Sequence, residues 1–116
     1  MNLELNSRYD AEKRRWEVAA AGEVDVFSSD GMRKTLAALL DEKNADLVID
    51  CGKLQYIDST ALGVLVETSQ RAERYGGNMI IKNPGQNIMK LLRITNLDKV
   101  FKIERAESGN GADDSE

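Results

Sequence analysis

Apolar residues change their spacing several times along the chain, and each change predicts a new structural element. Leu3 and Leu5 alternate with polar neighbours, and the charged run 10–14 separates them from a second extended stretch over residues 16–24. Two such stretches around a polar turn are typical of a β-hairpin. The chain is therefore predicted to begin with two antiparallel strands.

Two amphipathic helices are predicted after the hairpin. Apolar residues recur at helical spacing from a cap-forming cluster at 28–30 toward Lys43, and a longer helical segment follows residues 58–60. Serine, threonine and aspartate are favoured helix caps, and glycine favours the left-handed conformation that ends a helix. The second helix is therefore predicted to end at Tyr75, before the two glycines at 76–77.

Short apolar runs between the helices predict strands. The run at 47–49 fits a strand in the middle of a sheet, and a loop is expected to follow it over residues 52–57. A second run at 79–81 predicts another strand. A short helix around residues 88–92 is expected before a last strand over residues 100–103. The predicted order is β-β-α-β-α-β-α-β.

This order defines the fold class. Helices that alternate with single strands imply right-handed crossovers, so we predict one α/β domain with a mixed, mostly parallel β-sheet and helices packed on it. The apolar fraction of 41% and the charged fraction of 31% are those of a globular domain. The domain is expected to cover residues 1–105. Residues 106–116, rich in glycine and acids, are predicted to be a flexible acidic tail.

Composition excludes several functional classes. The net charge of -4 disfavours nucleic acid binding. No apolar stretch is long enough to insert into a membrane and the start lacks a signal-peptide pattern, so a cytoplasmic location is predicted. The chain has no histidine, the usual general base and commonest transition-metal ligand, and its single cysteine, Cys51, is expected to be buried. We therefore expect no enzymatic activity, no metal and no cofactor.

The segment 56–66, which joins a strand to the second helix, carries the strongest functional signal. Asp58, Ser59 and Thr60 are either structural caps or a polar site at the helix start. The apolar residues that follow spread around the helix instead of forming one stripe. Either a neighbouring helix covers the remainder, or an apolar patch lies open beside Ser59 and marks a partner site.

Three motifs in this order give the chain a resemblance to a known family. The run Asp-Ser-Thr-Ala-Leu-Gly at 58–63 resembles the signature of the STAS domain, the sulphate-transporter and anti-sigma-factor-antagonist family, with Ala61 where that family usually has glycine. The run Gly-Glu-Val-Asp at 22–25 resembles the family's loop after the second strand. Residues 91–97 resemble its short helix before the final strand.

The resemblance implies partner switching in bacteria. Stand-alone members of this size are anti-sigma factor antagonists, whose unphosphorylated form binds an anti-sigma serine kinase and releases a sigma factor for transcription. The kinase phosphorylates the first hydroxyl residue of the motif, here Ser59, and a metal-dependent serine phosphatase restores the active form. The residues expected to contact the partner are Asp25, Asp58, Ser59, Thr60, Leu62, Gly63 and Val66.

A serine at a helix N-terminus suits this role, because free N–H groups and the helix dipole favour an added negative charge. The same charge is expected to abolish binding at a neutral, partly apolar interface. Asp25 and Asp58 either support the acceptor or serve as helix caps.

Three alternatives stay open from the sequence. A STAS domain also fits a regulatory subunit of a transporter or of a larger signalling assembly. A phosphoaspartate receiver domain is a further α/β candidate, with Asp50 as acceptor, but the opening hairpin offers no acidic pair for magnesium. An enzyme would need Ser59 as nucleophile, with a carboxylate or lysine as base.

Overall fold

The computed structural model describes residues 3–105, and its elements follow the predicted order. The strands and helices are β1 (Leu3–Asp10), β2 (Arg15–Val24), α1 (Ser29–Glu42), β3 (Asp46–Ile57), α2 (Ser59–Arg74), β4 (Met79–Lys82), α3 (Gln86–Ile94) and β5 (Lys102–Glu104). A single 3₁₀ turn, Leu97–Lys99, precedes β5. The residues beyond 105, where a flexible tail is predicted, lie outside the described part of the chain.

The five strands form one sheet in the order β1-β2-β3-β4-β5. The β1–β2 pair is antiparallel, and every other pair is parallel. Each crossover steps in the same direction across the sheet, so right-handed connections place all three helices on one face. The core lies between them, where Leu36, Leu65 and Leu92 pack in one cluster with Leu47 and Ile81. The predicted α/β class is confirmed.

The loop predicted over residues 52–57 is wrong, because β3 continues through it to Ile57. This part of β3 pairs with the end of β2, and register shifts interrupt the ladder in two places. At the second shift Gly22 has a φ of 103°, a conformation that glycine adopts without a steric penalty. The buried residues Leu54 and Ile57 are consequently three positions apart, so the regular alternation that signals a strand is lost.

The last strand also begins later than the predicted 100–103. Phe101 is buried in the core and ends the connection from α3, whereas Val100 points into solvent. The ladder with β4 starts at Lys102, which pairs with Ile80. Phe101 therefore anchors the approach to β5, and neither residue of the apolar pair at 100–101 belongs to the strand.

The face of the sheet that carries no helix, here called the far face, is covered by its own charged side chains. Val48 and Ile80 lie on this face and outside the core cluster, yet both are buried. Above them, Arg15 of β2 donates to Glu17 at 3.0 Å and reaches Glu104 of β5 at 3.3 Å. An arginine that spans the sheet in this way shields apolar surface with its carbon chain.

Candidate functional site

The candidate site lies where β2 and β3 end side by side. Val24 and Ile57 are the last paired residues of the two strands, and the Asp58 backbone N–H donates to the Val24 carbonyl at 3.2 Å. The chain after each strand leaves the same edge of the sheet. The fold therefore brings the loop that contains Asp25 next to the start of α2, which contains Ser59.

Asp58 caps α2. Its backbone is extended, and its Oδ1 accepts a hydrogen bond from the Ala61 N–H at 2.9 Å. The Asp58 carbonyl accepts the first helical hydrogen bond, from Leu62. This is the geometry of an N-cap, so the capping interpretation of Asp58 is confirmed.

Ser59, the first residue of α2, is exposed. Within residues 3–105 no group forms a hydrogen bond with its hydroxyl, and Thr60 beside it is exposed as well. The first turn of α2 contains no acidic residue, and the carboxylate of Asp58 lies at its cap. The Ser59 hydroxyl thus faces solvent at a helix start that favours anions.

Asp25 organises the loop between β2 and α1. Its Oδ1 accepts hydrogen bonds from the backbone N–H groups of Phe27 at 3.0 Å and Ser28 at 3.1 Å. The Asp25 N–H in turn donates to the Ser28 hydroxyl at 3.0 Å, so the Ser28 side chain is used here and makes no cap hydrogen bond to α1. These bonds form a closed turn that fixes the loop beside the helix start.

The turn keeps Asp25 ionised. Desolvation raises the pKa of this carboxyl, but hydrogen bonds from the Ser28 and Phe27 backbone and from the Ser28 hydroxyl outweigh that effect and hold the pKa below 3.8. Asp25 therefore carries a negative charge at neutral pH. Its hydrogen bonds place it in a loop-forming role, and any direct contact with a partner stays a prediction.

The turn presents two apolar residues that the sequence reasoning missed. Phe27 is 86% exposed and Val26 is 57% exposed. An apolar residue just before the helix cap often packs back onto the fourth helical residue, which here is the buried Met32. Phe27 does not do so. The sequence did contain a signal for this exposed pair. The two apolar residues directly follow the motif at 22–25 and fit neither a helical nor a strand period.

The remaining predicted contact residues lie on α2. Ser59, Gly63 and Val66 follow one another at helical spacing, and Gly63 is exposed while Val66 is half-buried. A Cβ added at Gly63 would meet no atom within 4 Å. Leu62 is buried, so it supports this surface from beneath. The apolar residues that spread around the second helix are mostly buried, and α2 packs against both α1 and the sheet.

Other chemistry is limited in the described part of the chain. Cys51 is buried, and desolvation followed by the charge of Asp50 raises its pKa to about 12, so the thiol is unreactive at neutral pH. Between residues 3 and 105 there is no cluster of three potential metal-ligating side chains. None of the helices in that range combines the length and apolar character needed to cross a bilayer.

Residues 13–109 match the STAS domain family. The chain belongs to this family. This STAS protein is 36% identical over 93 residues to the anti-sigma-B factor antagonist of Bacillus subtilis. The alignment covers 80% of this chain and 84% of that relative. The resemblance predicted from the three motifs is therefore confirmed.

Solved structures share the STAS fold. An anti-sigma factor antagonist from Mycobacterium paratuberculosis superposes with a TM-score of 0.79 at 19% identity, over 89% of this chain and 86% of that one. The anti-sigma factor antagonist SpoIIAA, solved in its unphosphorylated form, gives a TM-score of 0.75 at 16% identity, over 92% and 90% of the two chains. At these identities the likeness concerns the fold.

The receiver-domain alternative is wrong. The STAS fold opens with an antiparallel hairpin, and Asp50 lies inside β3 instead of at its end. The Asp50 carboxylate accepts a hydrogen bond from the Gly52 N–H at 2.9 Å, which ties it to its own strand.

Proposed function

We propose that this chain is a cytoplasmic, non-catalytic anti-sigma factor antagonist that binds an anti-sigma serine kinase and is released when that kinase phosphorylates Ser59. The observation that carries this proposal is the exposed, unbonded Ser59 hydroxyl at the start of α2, next to the β2–α1 loop that presents the exposed Phe27. A kinase requires an accessible hydroxyl, and a docked partner requires apolar surface near it.

The fold is expected to tolerate the phosphate. Ser59 begins α2, where backbone N–H groups have no helical acceptor and the helix dipole favours negative charge. The Ser59 side chain is exposed, so a phosphate on it extends into solvent. Phosphorylation therefore adds charge at a position where the helix itself stabilises it.

The interface is expected to reject the phosphate. A phosphoserine carries about -1.5 to -2 charges at neutral pH. Asp58 and Asp25 already place carboxylates near this helix start, so a dianion there meets like charges and must also be desolvated by the partner. A switch from nearly complete to nearly absent binding requires roughly 5.5 kcal/mol, and burial of an unpaired dianion is of that order.

The relatives also support an antagonist that is regulated by phosphorylation. The Bacillus subtilis protein is named an anti-sigma-B factor antagonist, and SpoIIAA has been solved both in its unphosphorylated form and in a phosphorylated form. We extend that behaviour to Ser59 of this chain. A metal-dependent serine phosphatase is proposed to reverse the modification.

Co-purification with the anti-sigma kinase encoded in the same genome tests the proposal. We expect wild type and Ser59→Ala to bind the kinase, and Ser59→Asp to lose at least about 100-fold in affinity because one negative charge enters the interface. Thr60→Asp tests whether a charge at the adjacent predicted contact residue has the same effect. Incubation of the complex with ATP should phosphorylate wild type and leave Ser59→Ala unmodified.

Equal kinase binding by wild type, Ser59→Ala and Ser59→Asp would contradict the electrostatic switch. Phosphate on Thr60 instead of Ser59 would assign the wrong acceptor. Stable binding to a membrane transporter in place of the kinase would support the alternative that the chain is a regulatory subunit of a transporter.

A further inference from the structure

The third motif, at 91–97, has no role in the proposed switch, although it forms part of a groove. The ladder between β3 and β4 ends at the Asp50–Lys82 pair, whereas β3 continues alongside β2 to Ile57. Residues 53–57 are therefore paired on one side only. Within residues 3–105, no backbone hydrogen bond reaches these residues from the side where β4 would continue.

Helix α3 lies along this unpaired edge and closes the other side of the groove. The groove has a volume of about 340 Å³. Tyr56 and Ile57 of β3 line one wall, and Lys90, Leu91 and Ile94 of α3 line the other. A strand edge that faces a helix across a gap is the arrangement in which domains bind extended peptides by adding a strand.

The groove is more apolar at its rim than an ordinary surface. Tyr56 is 49% exposed and Ile94 is 67% exposed, from opposite walls. Proteins normally protect strand edges with charges, bulges or covering elements, because an open edge pairs with other chains. Here Lys53 and the two register shifts protect the edge only in part, because Tyr56 and Ile94 leave apolar side chains exposed beside it. These exposed side chains favour occupation by a partner.

The groove also carries one unpaired positive charge. Lys90 lines it, and among residues 3–105 no carboxylate lies within ion-pair distance of this lysine. A segment with an acidic side chain at that point complements the charge, whereas a basic segment is repelled.

We propose that the groove binds an extended segment of the anti-sigma kinase, which adds as a strand to β3 at residues 53–57. An apolar side chain of the segment contacts Tyr56 and Ile94, and an acidic side chain faces Lys90. This inference rests on the proposed function. The groove and the phosphorylation site are close along the chain, because Ile57 of the groove is two residues before Ser59.

The test combines kinase affinity with amide exchange. Ile94→Gln keeps a helix-compatible side chain but removes the apolar contact, and it should lower kinase affinity about tenfold. Val100→Gln is the matched control, because Val100 is an exposed apolar residue outside the groove, and it should bind within twofold of wild type. Lys90→Glu should weaken binding more than Lys99→Glu, which changes an exposed lysine elsewhere.

Hydrogen–deuterium exchange identifies the form of the occupant. In the complex, amides in 53–57 should exchange more slowly than in the free chain, because a new strand accepts their hydrogen bonds. Thermal unfolding of each variant checks that the fold is intact. Weaker binding without protection at 53–57 means that a helix or loop occupies the groove, and it would overturn the proposal.

The outcomes separate this inference from the switch. If kinase binding depends on Ser59 but Ile94→Gln binds as wild type does, the groove proposal is overturned and the proposed function stands. If Ser59→Asp binds as tightly as wild type while Ile94→Gln is weakened and 53–57 are protected, the groove stands and the switch is overturned. If wild type forms no complex with the kinase, both are overturned.

Discussion

The far face of the sheet and the edge that carries Ser59 are both in contact with solvent, but they differ in whether their side chains have partners within the chain. On the far face the guanidinium of Arg15 lies between the carboxylates of Glu17 and Glu104 and covers buried apolar residues. At the other edge Phe27 and the Ser59 hydroxyl have no such partners within the described residues.

This contrast distinguishes surface that stabilises the fold from surface that is available to another protein. Charges that are paired within the chain are expected to matter for the free energy of unfolding. Exposed apolar side chains and an exposed helical glycine do not stabilise the fold, so their presence fits a role in binding. Substitutions in the two regions should therefore affect different measurements.

The largest effect is expected from Arg15→Met, which leaves the carboxylates of Glu17 and Glu104 without their shared cation. Arg15 is 11% exposed at its side chain, so the free energy of unfolding should fall by about 2 kcal/mol, measured by urea denaturation. Arg8→Met is the control, because Arg8 pairs with Glu17 but is 66% exposed, and it should cost less than about 1 kcal/mol. Equal costs for the two variants would show that the far face is not held by Arg15.

The next effect is expected from Phe27→Ala. Loss of an exposed aromatic anchor should lower the affinity for the anti-sigma kinase at least tenfold, measured by calorimetry, because aromatic residues dominate binding at interfaces. The melting temperature should stay unchanged, since Phe27 packs little within its own chain. A drop in stability with unchanged kinase affinity would reverse the assignment of this loop.

A smaller and opposite pair of effects is expected from Gly63→Ala. Alanine in place of an exposed helical glycine should stabilise the fold by up to about 1 kcal/mol, because there is open space for its Cβ. The same methyl group should weaken kinase binding if the partner approaches the α2 backbone closely. Gly31→Ala in α1 has similar open space, so it should give a comparable gain in stability. A Gly63→Ala variant that binds as tightly as wild type would place the contact elsewhere.

The smallest effect concerns the Asp25 turn. The pKa of Asp25 is lower in the folded chain than its ordinary value of 3.8, so the turn's stabilisation is complete above that pH and is lost as the pH falls through the folded pKa. Ser28→Ala removes the hydroxyl that donates to the carboxylate and should raise the Asp25 pKa toward 3.8. NMR titration of the carboxyl carbon measures this. An unchanged or lower midpoint would mean that the hydroxyl has no part in the shift.

Most of the fold could be predicted from the sequence, because capped helices and apolar runs are local signals. The continuation of β3 over 52–57 could not, since register shifts against β2 removed the period of two. The site was predicted in part. Asp58 and Ser59 follow from capping chemistry and from the STAS motif, whereas the exposure of Phe27 depends on how the Asp25 turn directs the chain after β2, and no apolar period signals that direction.

The contact between Arg15 and Glu104 joins residues 89 positions apart in the chain. During synthesis on the ribosome, this ion pair therefore forms only when almost the whole domain has emerged. A chain that is cut before β5 lacks Glu104 and also the strand that pairs with Ile80, so the edge of β4 is left open and prone to aggregation.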